Sequence, residues 1–167
     1  AIRVALESNQ ETCAYLAKKI SESRSRLGKL ARRPRENAPD LGAIYRTAKE
    51  EGSKTPQELA IAAGSSTTLR GELGKALGYL NKKSSGAILA AAADLLGSTS
   101  LNEVGKEFPA GFFNAMSNAG ARTLSIGGIC EDAMAGVLSG LSTFGHNIGA
   151  GSSYGAFIAP LGHIAAR

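Results

Sequence analysis

At 167 residues with 43% hydrophobic content, the chain can build the core of one ordinary domain with a helical appendage, and a wholly disordered protein is excluded. Aromatics make up 5%, Trp is absent and there are 21 glycines, so Ala, Leu and Ile must fill that core, with small residues letting helix and sheet backbones approach closely. The formal charge of +5 is crowded into Lys18, Lys19, Arg24, Arg26, Lys29, Arg32, Arg33 and Arg35; without interleaved aromatics or a zinc-finger or RNA-recognition signature, this reads as a solvated basic helix face, and no nucleic-acid partner is expected.

Residues 1 to about 33 read as helical, because Val4, Leu6, Tyr15, Leu16, Ile20, Leu27 and Leu30 recur at roughly helical spacing between charges. Pro34 and Pro39 bracket a polar linker. Residues 41–51 form a short helix with Asp40 as N-cap, and Thr55-Pro56 followed by Glu58 opens another that ends near Gly64. Four hydroxyl residues, Ser65 to Thr68, then precede a helix over 69–80 with an apolar face of Leu69, Leu73, Ala76, Leu77 and Leu80. Ala87 to Ala93 is a continuous small and apolar run ending on Asp94, the pattern of a buried parallel strand. Residues 97–120 are loop-rich, with a short helix around Phe112. A second strand covers 123–129, a helix 131–144 with Ala133, Met134, Val137, Leu138 and Leu141 inward, a third strand 149–154, and a further helix starts at Ala156.

Strand and helix alternating at this spacing imply an α/β fold, a parallel sheet flanked by helices, with an N-terminal helical segment over 1–65 and the sheet domain over 66–167. Such sheets bind ligands beyond the carboxyl ends of their strands. Asp94, Glu131 and Tyr154 all fall at or just past expected strand ends. By position alone, Glu131 is either a helix-starting acid favoured by the dipole or a functional carboxylate. Tyr154 and Phe157, three apart, form either a core pair or a platform for a flat ring. His146 and His163 have no neighbouring cysteine and sit in different elements, so they make no metal site. There is no G-x-S-x-G elbow and no phosphate loop, and Gly149 to Gly155 lacks dinucleotide spacing. Cys13 and Cys130 are too far apart in sequence to suggest a disulfide framework, which points to a reducing compartment. With no membrane-length apolar run and no signal peptide, no membrane partner is expected and the cytoplasm is the expected location.

Residues 66–167 resemble the start of the pyrimidine-binding domain of transketolases. The family motif I-R-E-H-A-M-G is met by Ile129-Cys130-Glu131-Asp132-Ala133-Met134-Ala135-Gly136, with Leu141-Ser142-Thr143-Phe144-Gly145 at the end of the following helix. The family's G-G-T-F-x-x-F is met by Gly151-Ser152-Ser153-Tyr154-Gly155-Ala156-Phe157, and its S-A-D-L-x-x-S by Ala92-Ala93-Asp94-Leu95-Leu96-Gly97-Ser98. Upstream, Thr68-Leu69-Arg70 matches a helix led by Arg. Four matches in order cover about three-fifths of the chain. Cys130 and Asp132 stand where the family has Arg and His, an extra Ala precedes Gly136, and Ser-Ser-Tyr replaces Gly-Thr-Phe.

The resemblance implies a thiamine-diphosphate-binding fold of the pyrimidine-domain type. It implies transfer of a two-carbon ketol unit between sugar phosphates, as in the pentose phosphate pathway. Glu131 is the implied catalytic residue, bonding the ring nitrogen of the cofactor's aminopyrimidine. Asp94, Leu95, Ile129, Tyr154 and Phe157 would line the cofactor, and Arg70 and Ser98 would hold the sugar phosphate. No G-D-G motif with a downstream Asn occurs, so the divalent metal, Mg or Ca, and the diphosphate fall to a diphosphate-binding domain or subunit. The chain is therefore expected to be a fragment, inactive alone, working in a homo-oligomer, a dimer. Its face around Asp94, Glu131 and Tyr154 is expected to be exposed and apolar, awaiting that partner. Another thiamine-diphosphate enzyme, such as a 2-oxoacid dehydrogenase subunit or a deoxyxylulose-phosphate synthase, and a non-catalytic, degenerate transketolase-like fragment are the alternatives.

Overall fold

The computed structural model describes residues 2–33, 35–50, 52, 54–93, 95–157 and 159. Two compact units make up the chain, Ala1–Ala38 and Pro39–Arg167. The first holds helix α1, Ile2–Glu7, and helix α2, Gln10–Lys29. The single helix expected over 1–33 is thus broken at Ser8 and Asn9. Asn9 stops it by leaving the helical conformation (φ −136°) and accepting the Thr12 N–H on its side chain at 2.9 Å, which starts a new helix there. No residue of α2 is buried.

The second unit begins with α3, Leu41–Glu50. Asp40 caps it as expected, accepting from the Ala43 N–H at 3.2 Å, and its carboxylate also pairs with Arg46. The Arg46 hydrogen bond, foremost, holds the Asp40 carboxyl below its ordinary value. Ile44 is buried and joins Ala87, Ile88, Ala90, Leu101 and Val104 in a core cluster, so this helix belongs to the compact unit although it lies within residues 1–65. The helix expected from Thr55 to Gly64 is only a 3₁₀ turn, Gln57–Leu59.

Helix α4, Leu69–Lys83, is capped by Thr68, which accepts from the Gly71 N–H at 3.2 Å. Its buried face is not the one its leucines suggest. Leu69 and Leu73 are 92% and 61% exposed, while Gly74 and Asn81 are buried and Leu77 and Leu80 half-buried. A side chain at Gly74 would put its Cβ 2.4 Å from the Ser100 carbonyl oxygen, and one at Gly78 would put it 2.6 Å from that of Glu103. The helix therefore packs by backbone against the 3₁₀ turn Leu101–Gly105. Asn81, fully buried, closes the arrangement: its amide donates to the Val104 carbonyl at 2.8 Å and its oxygen accepts from the Ile88 N–H at 2.7 Å. Both groups would otherwise be orphaned inside the core.

Ile88 opens strand β1, Ile88–Ala92; β2 is Thr123–Leu124 and β3 is Ile148–Ser152. They form a three-stranded parallel sheet in the order β2-β1-β3, with Ala90 opposite Thr123 and Ile88 to Ala92 opposite Ile148 to Ser152. The second strand is far shorter than the expected 123–129. Its pattern is cut by Gly127, which takes a left-handed φ of +84° and turns the chain out of the sheet. Phe112 is not helical; it forms an isolated parallel bridge with Thr123. Helix α5, Glu131–Phe144, lies between β2 and β3 in sequence and packs Met134 and Leu138 on Ala91. Ala133 and Val137, expected inward, face out. A Cβ at Gly149 would lie 2.5 Å from the Leu138 carbonyl, so glycines in β3 bring this helix close. The expected final helix opens as a 3₁₀ turn, Gly155–Phe157, and most of it, with His163, lies outside the described residues. Among the described residues no helix is long and apolar enough to cross a membrane.

Candidate functional site

The chain leaves the carboxyl end of each strand of the parallel sheet in a loop, and side chains tie these loops together. After β2 the glycine turn leads into α5, whose first residue is Glu131. Cys130 offers no side-chain cap there, so the N–H groups of the first turn and the helix dipole face the start of α5 uncovered, an environment that favours negative charge. Glu131 is 7% exposed. From the loop after β3, Ser153 donates its hydroxyl to Glu131 Oε1 at 2.8 Å. No described residue donates to the second carboxylate oxygen. The next residue, Tyr154, brings its hydroxyl within 3.4 Å of Ser98 Oγ in the loop after β1. Two side-chain contacts thus join all three strand-end loops.

Of the residues singled out from the sequence, Glu131, Tyr154 and Ser98 are brought together, and Leu95 lies beside them. The Leu95 carbonyl accepts from Ser98 Oγ at 3.3 Å and Thr99 Oγ1 at 2.9 Å, which shapes the loop. The expectation that the whole face is exposed is corrected for Glu131, which the Ser153 loop covers. Tyr154 and Phe157 remain roughly half exposed, on a 3₁₀ turn closed by the Phe157 N–H to the Tyr154 carbonyl at 2.8 Å. Ile129 is not drawn in: it is 70% exposed on the loop before α5. Arg70 is exposed in the first turn of α4 and makes no hydrogen bond or ion pair with a described residue. It stands one helical turn from Gly74, which abuts Ser100. Asp94 lies outside the described residues.

Ser153 was not among the residues expected to act. Its signal in the sequence is a pair of hydroxyls, Ser152 and Ser153, at a strand end. What gives Ser153 meaning is the β2-α5-β3 crossover, which folds a residue 22 positions away back onto Glu131. A separate groove of about 410 Å³ lies over the second half of α4, lined by Lys75, Lys82, Lys106 and Glu103 among others. Those lysines are already paired, with Glu72 at 2.8 Å, Glu107 at 3.3 Å and Glu103 at 3.3 Å, so the groove presents them neutralised. Among the described residues no group of three or more His, Cys, Asp or Glu could hold a metal ion.

The chain is thus an α/β protein with an open parallel sheet and a polar cluster at the carboxyl ends of its strands. No family model, curated protein or solved structure matches it.

Proposed function

We propose that this chain supplies the pyrimidine-binding half of a thiamine-diphosphate site of the transketolase type, completed by a diphosphate-binding domain or subunit. The observation that carries the reading is the buried carboxylate of Glu131, held on one oxygen by Ser153 and left free of described donors on the other. The residues present fit the aminopyrimidine. A ring N–H needs a fixed carboxylate oxygen, and a flat ring needs an aromatic wall, which Tyr154 and Phe157 can supply. Thiamine diphosphate, when bound, supplies the nucleophilic carbon that the protein lacks.

In this reading Glu131 would hold the aminopyrimidine through a hydrogen bond between its free carboxylate oxygen and the ring nitrogen, supplying the fixed negative charge that the cofactor's activation needs. Burial strengthens that bond, because little water competes for it. Ser153 fixes which oxygen is free. Tyr154, held by its contact with Ser98, would exclude water from one face. Arg70, unengaged by any described residue and able to grip phosphate in a two-pronged way, would together with Ser98 hold the sugar phosphate. Metal and diphosphate belong to the completing domain.

The test mixes the chain with a transketolase diphosphate-binding domain and follows thiamine diphosphate binding by calorimetry, then hydrogen–deuterium exchange at the cofactor's reactive carbon. Binding is expected only in the mixture. Glu131→Gln keeps binding but slows exchange by about 10²–10⁴-fold, the usual worth of positioned acid–base assistance. Unchanged exchange in that variant with cofactor bound overturns the role of Glu131; tight binding to the chain alone overturns the need for a partner.

A further inference from the structure

Helix α2 carries a seam that the site at the sheet does not use. Cys13, Leu16, Ile20, Ser23, Leu27 and Leu30 follow one another at gaps of three and four residues in alternation. That is the spacing of the two core positions of a coiled-coil heptad. Leu16, Ile20, Leu27 and Leu30 are all exposed, Ile20 at 68%, and α2 buries no residue at all. Helix α1 meets α2 near its start, where the Cys13 thiol donates to the Leu6 carbonyl at 3.0 Å; from Leu16 to Leu30 the seam stays exposed, so a partner helix packed on it would add the tertiary contact from which helices in proteins draw most of their stability.

The flanks say which partner. Lys19 and Arg26 follow one border of the seam, and Arg24 stands on the other, one heptad after Ala17. From Leu16 to Arg33 there are seven basic residues and one acid, Glu22. Among the described residues Glu22 reaches Lys18 and Lys19, at 4.0 Å and 3.2 Å on the exposed surface, where such pairs are weak. A second copy of α2 would set Lys19 against Arg24 in a parallel pair, and Lys19 and Arg26 against their own kind in an antiparallel one. Like charges flanking a seam disfavour such a pairing. A lipid surface needs a broad apolar face. This seam is two positions wide, has no aromatic ring in it, and is interrupted by Ser23.

We infer that α2 docks, through this seam, one amphipathic helix of a partner protein whose flanking positions are acidic. The seam supplies shape and the basic borders supply sign: Glu or Asp beside the partner's own leucines would meet Lys19, Arg24 and Arg26. The contact is short, about 21 Å from Leu16 to Leu30 at 1.5 Å per residue, so it suits a reversible interaction sensitive to salt.

The experiment titrates the full chain with two labelled synthetic peptides, each with Leu and Ile at heptad core positions, one flanked by Glu and the other by Lys, and reads fluorescence anisotropy and helicity. The Glu-flanked peptide is expected to bind at least about tenfold tighter, with the preference shrinking at high salt. Ile20→Asp with Leu27→Asp should abolish binding; since α2 buries nothing, these changes disturb no core. Lys19→Glu with Arg26→Glu keeps the seam and should reverse the preference between the peptides. Equal binding of both peptides, or no reversal, overturns the inference. So does sedimentation of the chain alone as a dimer that Ile20→Asp dissociates, which makes the occupant a second copy. Tighter binding to vesicles of three parts phosphatidylcholine and one part phosphatidylserine than to the Glu-flanked peptide overturns it in favour of a lipid surface.

Discussion

Removing the Ser153 hydroxyl tests the central contact of the site without any cofactor. The bond to Glu131 Oε1 is 2.8 Å long and its acceptor belongs to a residue only 7% exposed. A hydrogen bond to a charged group contributes roughly 1.5–3 kcal/mol net, against about 0.5–1.5 for a neutral pair. Ser153→Ala should therefore destabilise the chain by about 1.5–3 kcal/mol. At about 2–4 °C per kcal/mol for a chain of this size, the melting midpoint falls by about 3–12 °C. In a Glu131→Gln background the same change removes only a neutral bond and should cost about 0.5–1.5 kcal/mol. The coupling between the two positions is then on the order of 1 kcal/mol in a double-mutant cycle. The assay is urea unfolding followed by circular dichroism, with the denaturant slope checked for constancy across the four proteins. Equal cost of Ser153→Ala in both backgrounds, or a cost near zero beside native Glu131, would refute the reasoning, because the hydroxyl would not be holding a buried carboxylate.

Asn81→Leu strands the Ile88 N–H and the Val104 carbonyl inside the core. At about 1–3 kcal/mol for each of these two unsatisfied groups, denaturant unfolding should show a loss of about 2–6 kcal/mol, and a loss below about 1 would mean that both groups find other partners. Asp40 gives a pH signature. Its folded carboxyl sits below the ordinary 3.8, chiefly through the Arg46 hydrogen bond, so its contribution is present above that ordinary value and is lost as pH falls through the lower folded one. The melting advantage of the native protein over Asp40→Asn should accordingly shrink as pH falls below about 4, and a difference that stays constant through that fall would contradict the pairing.

Where periodicity and turn chemistry agree, the fold could be read directly. Helix α5 begins at Glu131 and ends at the left-handed Gly145, and the alanine run at 88–92 is a buried parallel strand. The reading failed where small or polar residues do the packing. In α4 the leucines that dominate the pattern, Leu69 and Leu73, point to solvent, while Gly74, Gly78 and Asn81 face the protein. Hydropathy assigns no weight to a residue whose contribution is the absence of a side chain, or to an amide whose two partners are backbone groups. The 123–129 strand was overextended for a related reason: the apolar alternation runs on through Ile126 and Ile129, but Gly127 bends the chain away. At the site, Glu131, Tyr154 and Ser98 could be singled out in the sequence, whereas Ser153 acquires its partner only through the crossover.

The contact of Gly74 with Ser100 has a thermodynamic consequence for any ligand at the strand ends. A joint made of side chains can slip by exchanging rotamers, but here a helix backbone meets a loop carbonyl with no rotamer between them. Ser100, at the end of the loop over 97–100, is therefore held directly against the backbone of α4. Ser98 hangs from that loop, its hydroxyl already oriented by the Leu95 carbonyl and Tyr154. A group immobilised during folding has little freedom left to lose on binding, so a phosphate or ring that reaches Ser98 is spared much of the ordering cost that a flexible loop would impose at that moment.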